Sequence, residues 1–161
     1  MAKVKRSQVK SFLQTATSPS IVLSLIGDGV TTGTINMNPE TSSETYVHED
    51  SATVDTEKYA PTLPIEATAI NGDAVFEFID NLRKTRAVLD AARTYLVNVW
   101  MYETATDTDK YAAERQEVSI AIDSFGGDGG VSAKINYTIN YIGDPVVGKY
   151  DVSDGTFTAD A

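Results

Sequence analysis

Apolar and polar positions alternate most regularly over residues 117–151. Val118, Ile120 and Ile122 alternate with Ser119, Ala121 and Asp123. Ile135, Tyr137, Ile139 and Tyr141 alternate with Lys134, Asn136, Thr138 and Asn140. Successive Cβ atoms of a strand point to opposite faces, so each apolar set lines one face of a sheet. Its members are β-branched or aromatic, types that suit a pleated surface. Between the runs lies Phe125-Gly126-Gly127-Asp128-Gly129-Gly130. Gly126, Gly127, Gly129 and Gly130 are expected to form a structural turn, because glycine accepts positive φ and lets the chain reverse. An antiparallel hairpin over residues 117–141 follows. Gly143-Asp144-Pro145 reads as a second turn, after which Val146 and Val147 begin another short strand.

Elsewhere the pattern is weaker. Residues 1–17 read as an arm or a short strand, with Phe12 and Leu13 as its large apolar residues. Ile21, Leu23 and Leu25 alternate into a strand closed by Gly27-Asp28-Gly29, and the threonine-rich residues 30–37 read as the second strand of that hairpin. Residues 38–64 are polar, acidic and interrupted by Pro39, Pro61 and Pro64. A loop this long is uncommon inside a compact domain and points to a functional or a disordered segment. Tyr46, Val47, Val54 and Tyr59 are its apolar anchors, set among Glu44, Glu49 and Asp50. Ile65, Ala67 and Ala69 give a short strand, and Asn71-Gly72 a turn. Asp73 suits the N-cap of a helix over residues 74–85. Val75, Phe76, Ile79 and Leu82 fall on one stripe of it. Glu77 and Asp80 lie before Arg83, Lys84 and Arg86, the order that complements the helix dipole. Tyr95, Val97, Val99 and Met101 alternate with Leu96, Asn98, Trp100 and Tyr102, so large residues occupy both faces and the strand is expected to be buried on both. Residues 104–110 read as a polar turn, and the tail, 151–161, as a further edge strand. Many strands, closely spaced turns and one helix predict a mainly β domain, a sandwich or barrel of two packed antiparallel sheets flanked by the helix.

A chain of 161 residues fits one domain and buries a core large enough to stand without staples. It contains no cysteine, which removes disulfides and thiolate metal sites and suits synthesis in a reducing cytoplasm. No apolar run is long enough for a membrane-spanning helix, and no apolar stretch of signal-peptide length follows the basic start, so secretion by that route is not expected. The net charge of −10 argues against a surface that grips nucleic acid, since that affinity comes from lysine and arginine. The charge is uneven. Lys3, Lys5, Arg6 and Lys10 precede a stretch to Glu57 that has no lysine or arginine but contains Asp28, Glu40, Glu44, Glu49, Asp50 and Asp55. The basic arm and the acidic loop are therefore candidate partners on neighbouring copies of the chain.

Candidate chemistry is sparse. His48, the single histidine, lies in the acidic loop without a nucleophile-elbow pattern beside it. Asp107-Thr108-Asp109 lacks the glycine and distal glutamate of an EF-hand loop. No glycine motif opens a helix in the way that cradles phosphate. No catalytic, cofactor or metal residue is assigned.

The run AERQEVSIAIDSFGGDGG, followed by INYTINYIGDPVVG, resembles the C-terminal half of phage major tail proteins, the tail-tube subunits of long-tailed bacterial viruses. ETYVHEDSATVDTEKYAPTLPI and GDAVFEFIDNLRKTRAV look like middle segments of the same family, so the resemblance spans about residues 44–150. It implies a β-sandwich or barrel flanked by one helix, and a connector rather than more helix at residues 87–93. It also implies a structural, non-enzymatic virion protein whose hexameric rings stack into a tube for DNA ejection. The implied partners are other copies of the chain, the tape measure, tail terminator and tail tip proteins, and double-stranded DNA that passes through without specific binding. Synthesis in the host cytoplasm, a place in the virion tail and no membrane contact follow. A secretion-system tube protein and a carbohydrate- or ligand-binding virion module are the alternative readings.

Overall fold

The computed structural model describes residues 1–103 and 107–161. Ten strands and one α-helix follow in order: β1 (Val9–Ala16), β2 (Val22–Leu25), β3 (Val30–Gly33), β4 (Pro39–Glu44), β5 (Thr53–Tyr59), β6 (Thr62–Thr68), α1 (Ala74–Thr85), β7 (Arg93–Trp100), β8 (Lys110–Gly126), β9 (Lys134–Asp151) and β10 (Thr156–Ala159). The large antiparallel sheet has the order β2-β1-β7-β8-β9-β6-β3, with β10 added to β9, while β4 and β5 form a sheet of their own. The fold is mainly β with one helix, of the sandwich or barrel class, as the sequence implies.

The large sheet curls into a half-barrel, and its connectivity requires this. Its two edge strands, β2 and β3, are joined by only residues 26–29. Ile26 N donates to Ser11 O (2.9 Å), and Thr68 N donates to Gly29 O (3.0 Å), so this link bridges β1 to β6. A Cβ at Gly29 would lie 2.8 Å from Thr68 O, and φ there is +77°; only glycine makes the approach without strain.

One face of the large sheet holds the main core. Leu13, Leu63, Ile65, Leu96, Val118, Ile120, Ile135, Tyr137 and Ile139 pack against Val75, Ile79 and Leu82 of α1. Each fully buried aliphatic residue stabilises by about 1.5–3 kcal/mol, which is why a helix of only twelve residues is held firmly. Asp73 caps it, its carboxylate accepting from Phe76 N at 2.8 Å. A second, smaller core on the other face joins Val97, Val99, Ala113 and Tyr150, with Phe12 and Phe157 against them. Strand β7 feeds both cores, Leu96 into one and Val97 and Val99 into the other.

Several expectations are corrected. Of the two readings of residues 1–17, the strand holds over residues 9–16 and the arm does not: β1 lies between β2 and β7, with Leu13 wholly buried. Phe12 and Leu13 face different cores, so the strand shows no alternation of apolar with polar. Strand β3 pairs with β6 rather than β2, because the turn at residues 27–29 carries the chain to the opposite edge. Gly143-Asp144-Pro145 does not reverse the chain. Strand β9 runs on through it, and the register against β8 shifts between Arg115 and Glu117. The extra residues form a bulge, held by Gln116 Nε2 donating to Gly143 O at 2.6 Å. Residues 38–64 are not a structureless loop but a hairpin of β4 and β5 leading into β6. The polar turn expected at residues 104–110 lies partly outside the described residues; within them, Asp107 and Lys110 form a bridge.

Candidate assembly surfaces

The β4–β5 hairpin stands apart from the body. Every residue of β5 is exposed, and in β4 only Ser42 is partly covered. Its strands pair Glu44 with Thr53 at the tip end and Pro39 with Tyr59 at the base. Cross-strand pairing is reinforced by Lys58 Nζ, 3.1 Å from Glu40 Oε2. Asn38, at φ +45°, hinges the hairpin to the sheet. Its Nδ2 donates to Ala60 O and to Thr62 Oγ1, both at 3.1 Å.

Of the seven residues singled out in this segment, the tip gathers Glu44, Tyr46, Val47, Glu49 and Asp50, with Val54 on the adjoining end of β5. Tyr46 Oη donates to Glu44 Oε2 (3.1 Å), and Glu49 N donates to Tyr46 O (2.9 Å). His48 stacks on Tyr46 and lies 3.6 Å from Glu49. Val47 is fully exposed, and Asp50, just past the turn, is exposed as well. Tyr59 is not with them. It sits at the base, a strand length of about 20 Å away, and lines a groove of about 670 Å³ with Met37, Trp100, Glu114 and Pro145. At the floor of that groove Asn98 is buried, accepting from Ser11 Oγ (2.7 Å) and donating to Tyr141 Oη (3.1 Å). Burial pushes the Tyr141 hydroxyl up to about 12 and raises Glu114 above the ordinary carboxylate value.

The four basic residues near the N-terminus are not one arm. Lys3 and Lys5 are exposed. Arg6 is a latch: its Nε donates to Gly33 O at 3.1 Å and its Nη1 to Val9 O, tying the start of the chain to β3. Lys10 belongs to β1. The glycines are where a turn is needed, between β8 and β9. Gly126, Gly127 and Gly130 adopt positive φ (132°, 153° and 84°), whereas Gly129 does not.

Sequence reasoning missed a second surface at the far end of β8. Strand β7 pairs with β8 only as far as Ser119. Beyond it, a groove of about 600 Å³ lies between the end of α1 and β8, lined by Arg83, Arg86, Val88, Leu89, Ile122 and Phe125 among others. Arg83 lies 4.1 Å over the Phe125 ring and 2.7 Å from Asp80, which also holds Lys84 at 2.7 Å. Val88 is 69% and Leu89 80% exposed. The available signal was two large apolar residues side by side in a connector that has no core-facing period.

No family model matches this sequence, and no curated protein matches it. Solved structures match over nearly its full length. A chain from the tail of an empty GTA particle, computed by helical refinement with C6 symmetry, superposes with a TM-score of 0.62 at 12% identity, covering 98% of this chain and 100% of that one. A chain from the cryo-EM structure of an extracellular contractile injection system, a PVC sheath/tube terminator in the extended state, gives 0.52 at 6% identity, covering 91% and 97%. At such identities the likeness is one of fold: this chain has the fold seen in those tail and terminator assemblies, in keeping with the resemblance its sequence carries.

Proposed function

We propose that the chain is a structural tail-tube subunit, closing into hexameric rings that stack into a conduit for DNA ejection. The observation that carries the reading is the full-length fold likeness to a chain of a particle tail. An exposed hairpin that leaves its own body uncovered supports it. The free edges of β2 and β3 present unpaired N–H and C=O groups, which recruit strands from another chain; a closed ring pairs every such edge. The hairpin, with Glu44, Tyr46, Val47, Glu49 and Asp50 at its tip, reaches the next ring. We assign the channel wall to the polar face of β6, β8 and β9. There Lys134 pairs with Glu66 at 2.7 Å, and Thr138 donates to Asp123 at 3.0 Å. A net-negative subunit repels phosphate, so DNA slides and is not gripped, although salt screens this beyond about 10 Å.

The partners on this reading are other copies of the chain, then tape measure, terminator and tip proteins, and DNA in passage. The site of action is the virion tail after synthesis in the host cytoplasm, without a cofactor, membrane contact or catalysis. Electron microscopy of concentrated purified protein tests it, with rings and tubes expected. Deleting residues 41–56 should leave a folded, soluble subunit that makes no long tubes. Amide exchange over residues 40–60 should be fast in the free subunit and slow in the tube. Normal tubes from the deletion, or a subunit that never oligomerises at any concentration, would refute the reading.

A further inference from the structure

We propose that the hairpin tip of one copy docks in the groove between α1 and β8 of the next copy, joining copies head to tail along the strand axis. This rests on the stacking role above and names the surface that receives the hairpin.

Direction comes first. Strand β6 pairs with β9 from Thr62↔Asn140 to Thr68↔Lys134. The hairpin precedes Thr62, so it leaves the sheet on the Asn140 side and away from Lys134. Its base then passes Glu114, Gly143 and Pro145, with which Glu57 and Tyr59 share a groove. It therefore points toward the Lys110 end of β8. The groove beside Arg86 and Phe125 lies at the opposite, Gly126 end. Donor and acceptor sit at opposite ends of one sheet, the arrangement a stacked assembly needs, and a hairpin cannot reach the groove of its own chain.

Chemistry selects the occupant. The hairpin carries Glu40, Glu44, Glu49, Asp50, Asp55 and Glu57 against Lys58 alone, which Glu40 already holds. At the groove, Asp80 is shared by Arg83 and Lys84, and Arg86 makes no ion pair among the described residues. Arg83 and Arg86 line the groove against one carboxylate, Asp123, so it is mildly positive where the tip is strongly negative. The apolar parts match as well: Tyr46 and Val47 are exposed on the tip, and Val88, Leu89 and Phe125 are exposed around the groove. Its volume falls in the roughly 300–1,000 Å³ range of clefts that enclose whole ligands. Leu89 is the sharpest sign. A leucine held at φ +54° and left four-fifths exposed is unfavourable on both counts in a lone subunit. Strained residues of this kind cluster at binding surfaces, and a docked hairpin would cover the side chain.

The chain has no cysteine, so single thiols report the contact cleanly. Subunits carrying Val47→Cys are assembled with subunits carrying Val88→Cys or Phe125→Cys, and a short homobifunctional maleimide is added. Each position is exposed, so folding is spared. Covalent dimers are expected in both mixtures, absent when either variant assembles alone, and absent when Val47→Cys is mixed with Val146→Cys at the hairpin's own end. Arg86→Glu should raise the concentration needed for tubes at least tenfold while leaving rings and the melting temperature of the subunit unchanged. Tubes that form normally without a 47–88 or 47–125 product, or with a 47–146 product instead, would overturn the acceptor assignment while the tube reading stands. Failure of the unmodified protein to form rings or tubes would overturn the tube reading and the docking with it.

Discussion

Strand β10 rests on a missing side chain. Among the described residues it pairs only with β9, through Phe157↔Tyr150 and Ala159↔Gly148. Gly148 is buried, and its φ is ordinary, so what matters there is space. A Cβ at this position would stand 2.2 Å from Thr158 O, 2.7 Å from Phe157 Cζ and 2.9 Å from Ala159 Cα. Two of those atoms are backbone, so no rotamer relieves the clash. Gly148→Ala must either strain both strands or lift β10 away. Overpacking of this kind costs about 1–3 kcal/mol. Lifting β10 sets a ceiling. It uncovers a partly buried Phe157, about 1–2 kcal/mol, and loses its contact with the Arg115 guanidinium, 5.4 Å from the ring, about 0.5–1 kcal/mol. The backbone freedom regained by four residues offsets part of that loss.

We therefore expect Gly148→Ala to cost about 2 kcal/mol, a fall in melting temperature of about 4–8 °C for a domain of this size. The double variant Gly148→Ala with Phe157→Ala separates the two routes. If β10 has already lifted, removing the ring adds little, and the cycle returns a coupling of about 1–2 kcal/mol. Thermal melts by circular dichroism, with urea titrations for the free energies, measure both. A double variant additive within about 0.5 kcal/mol would assign the cost to strain with β10 in place, and an alanine variant that melts within 1 °C of the parent would refute the reasoning.

Three further outcomes are expected. Asp73→Ala removes the carboxylate that accepts from Phe76 N and should cost about 1 kcal/mol, read as a shifted urea midpoint, with Asp73→Asn largely sparing it. Gly130→Ala places a side chain at φ +84° in open space, so strain alone should cost about 1–2 kcal/mol; Gly129→Ala, at a site without positive φ, should be neutral by the same melt. The hydrogen bond from Lys84 and the charge and hydrogen bonds of Arg83 hold the Asp80 carboxyl below its ordinary 3.8. Its contribution is thus present above that value and lost as pH falls below it. Asp80→Asn should flatten this part of the acid limb in urea midpoints taken from pH 6 to pH 2, and an unchanged limb would show the ion pairs are idle.

Legibility in the sequence followed burial on one face. The helix is where its stripe and its cap place it, residues 74–85 after Asp73, because Val75, Ile79 and Leu82 answer to one core. The alternating runs of β8 and β9 pair with each other for the same reason. Strand β1 was obscured because both its faces are covered, Leu13 in one core and Phe12 in the other, and burial on both sides erases the period of two. The β4–β5 hairpin was obscured for the opposite reason: neither face is buried, so Pro-Glu-Thr-Ser-Ser-Glu carries no apolar signal at all. The tip residues were legible as exposed apolar groups in an acidic stretch. The groove at Arg86 and Leu89 was not, because its walls come from a helix end, a connector and a strand end that only the folded sheet brings together.

The charge of −10 bears on how such subunits would meet. Summed over a surface it keeps copies apart, which taken alone opposes any tube. Under the proposed docking, its distribution decides the outcome. Two hairpin tips carry like charge and repel, so a two-fold pairing of tips is disfavoured. The acidic tip and Arg86 of the groove carry opposite charge, and they belong to different surfaces of the chain. That makes the axial contact heterologous, and a heterologous contact without a closing rotation continues as a filament. Magnitudes favour it. A charge pair about 4 Å apart in partly covered surroundings is worth roughly 4 kcal/mol before desolvation, whereas charges dispersed beyond about 10 Å are largely screened at 0.1 M salt. Moderate salt thus removes the diffuse repulsion first and leaves the docked contact. The uneven placement of charge along the chain is then the property that allows an acidic protein to stack on itself in one direction only.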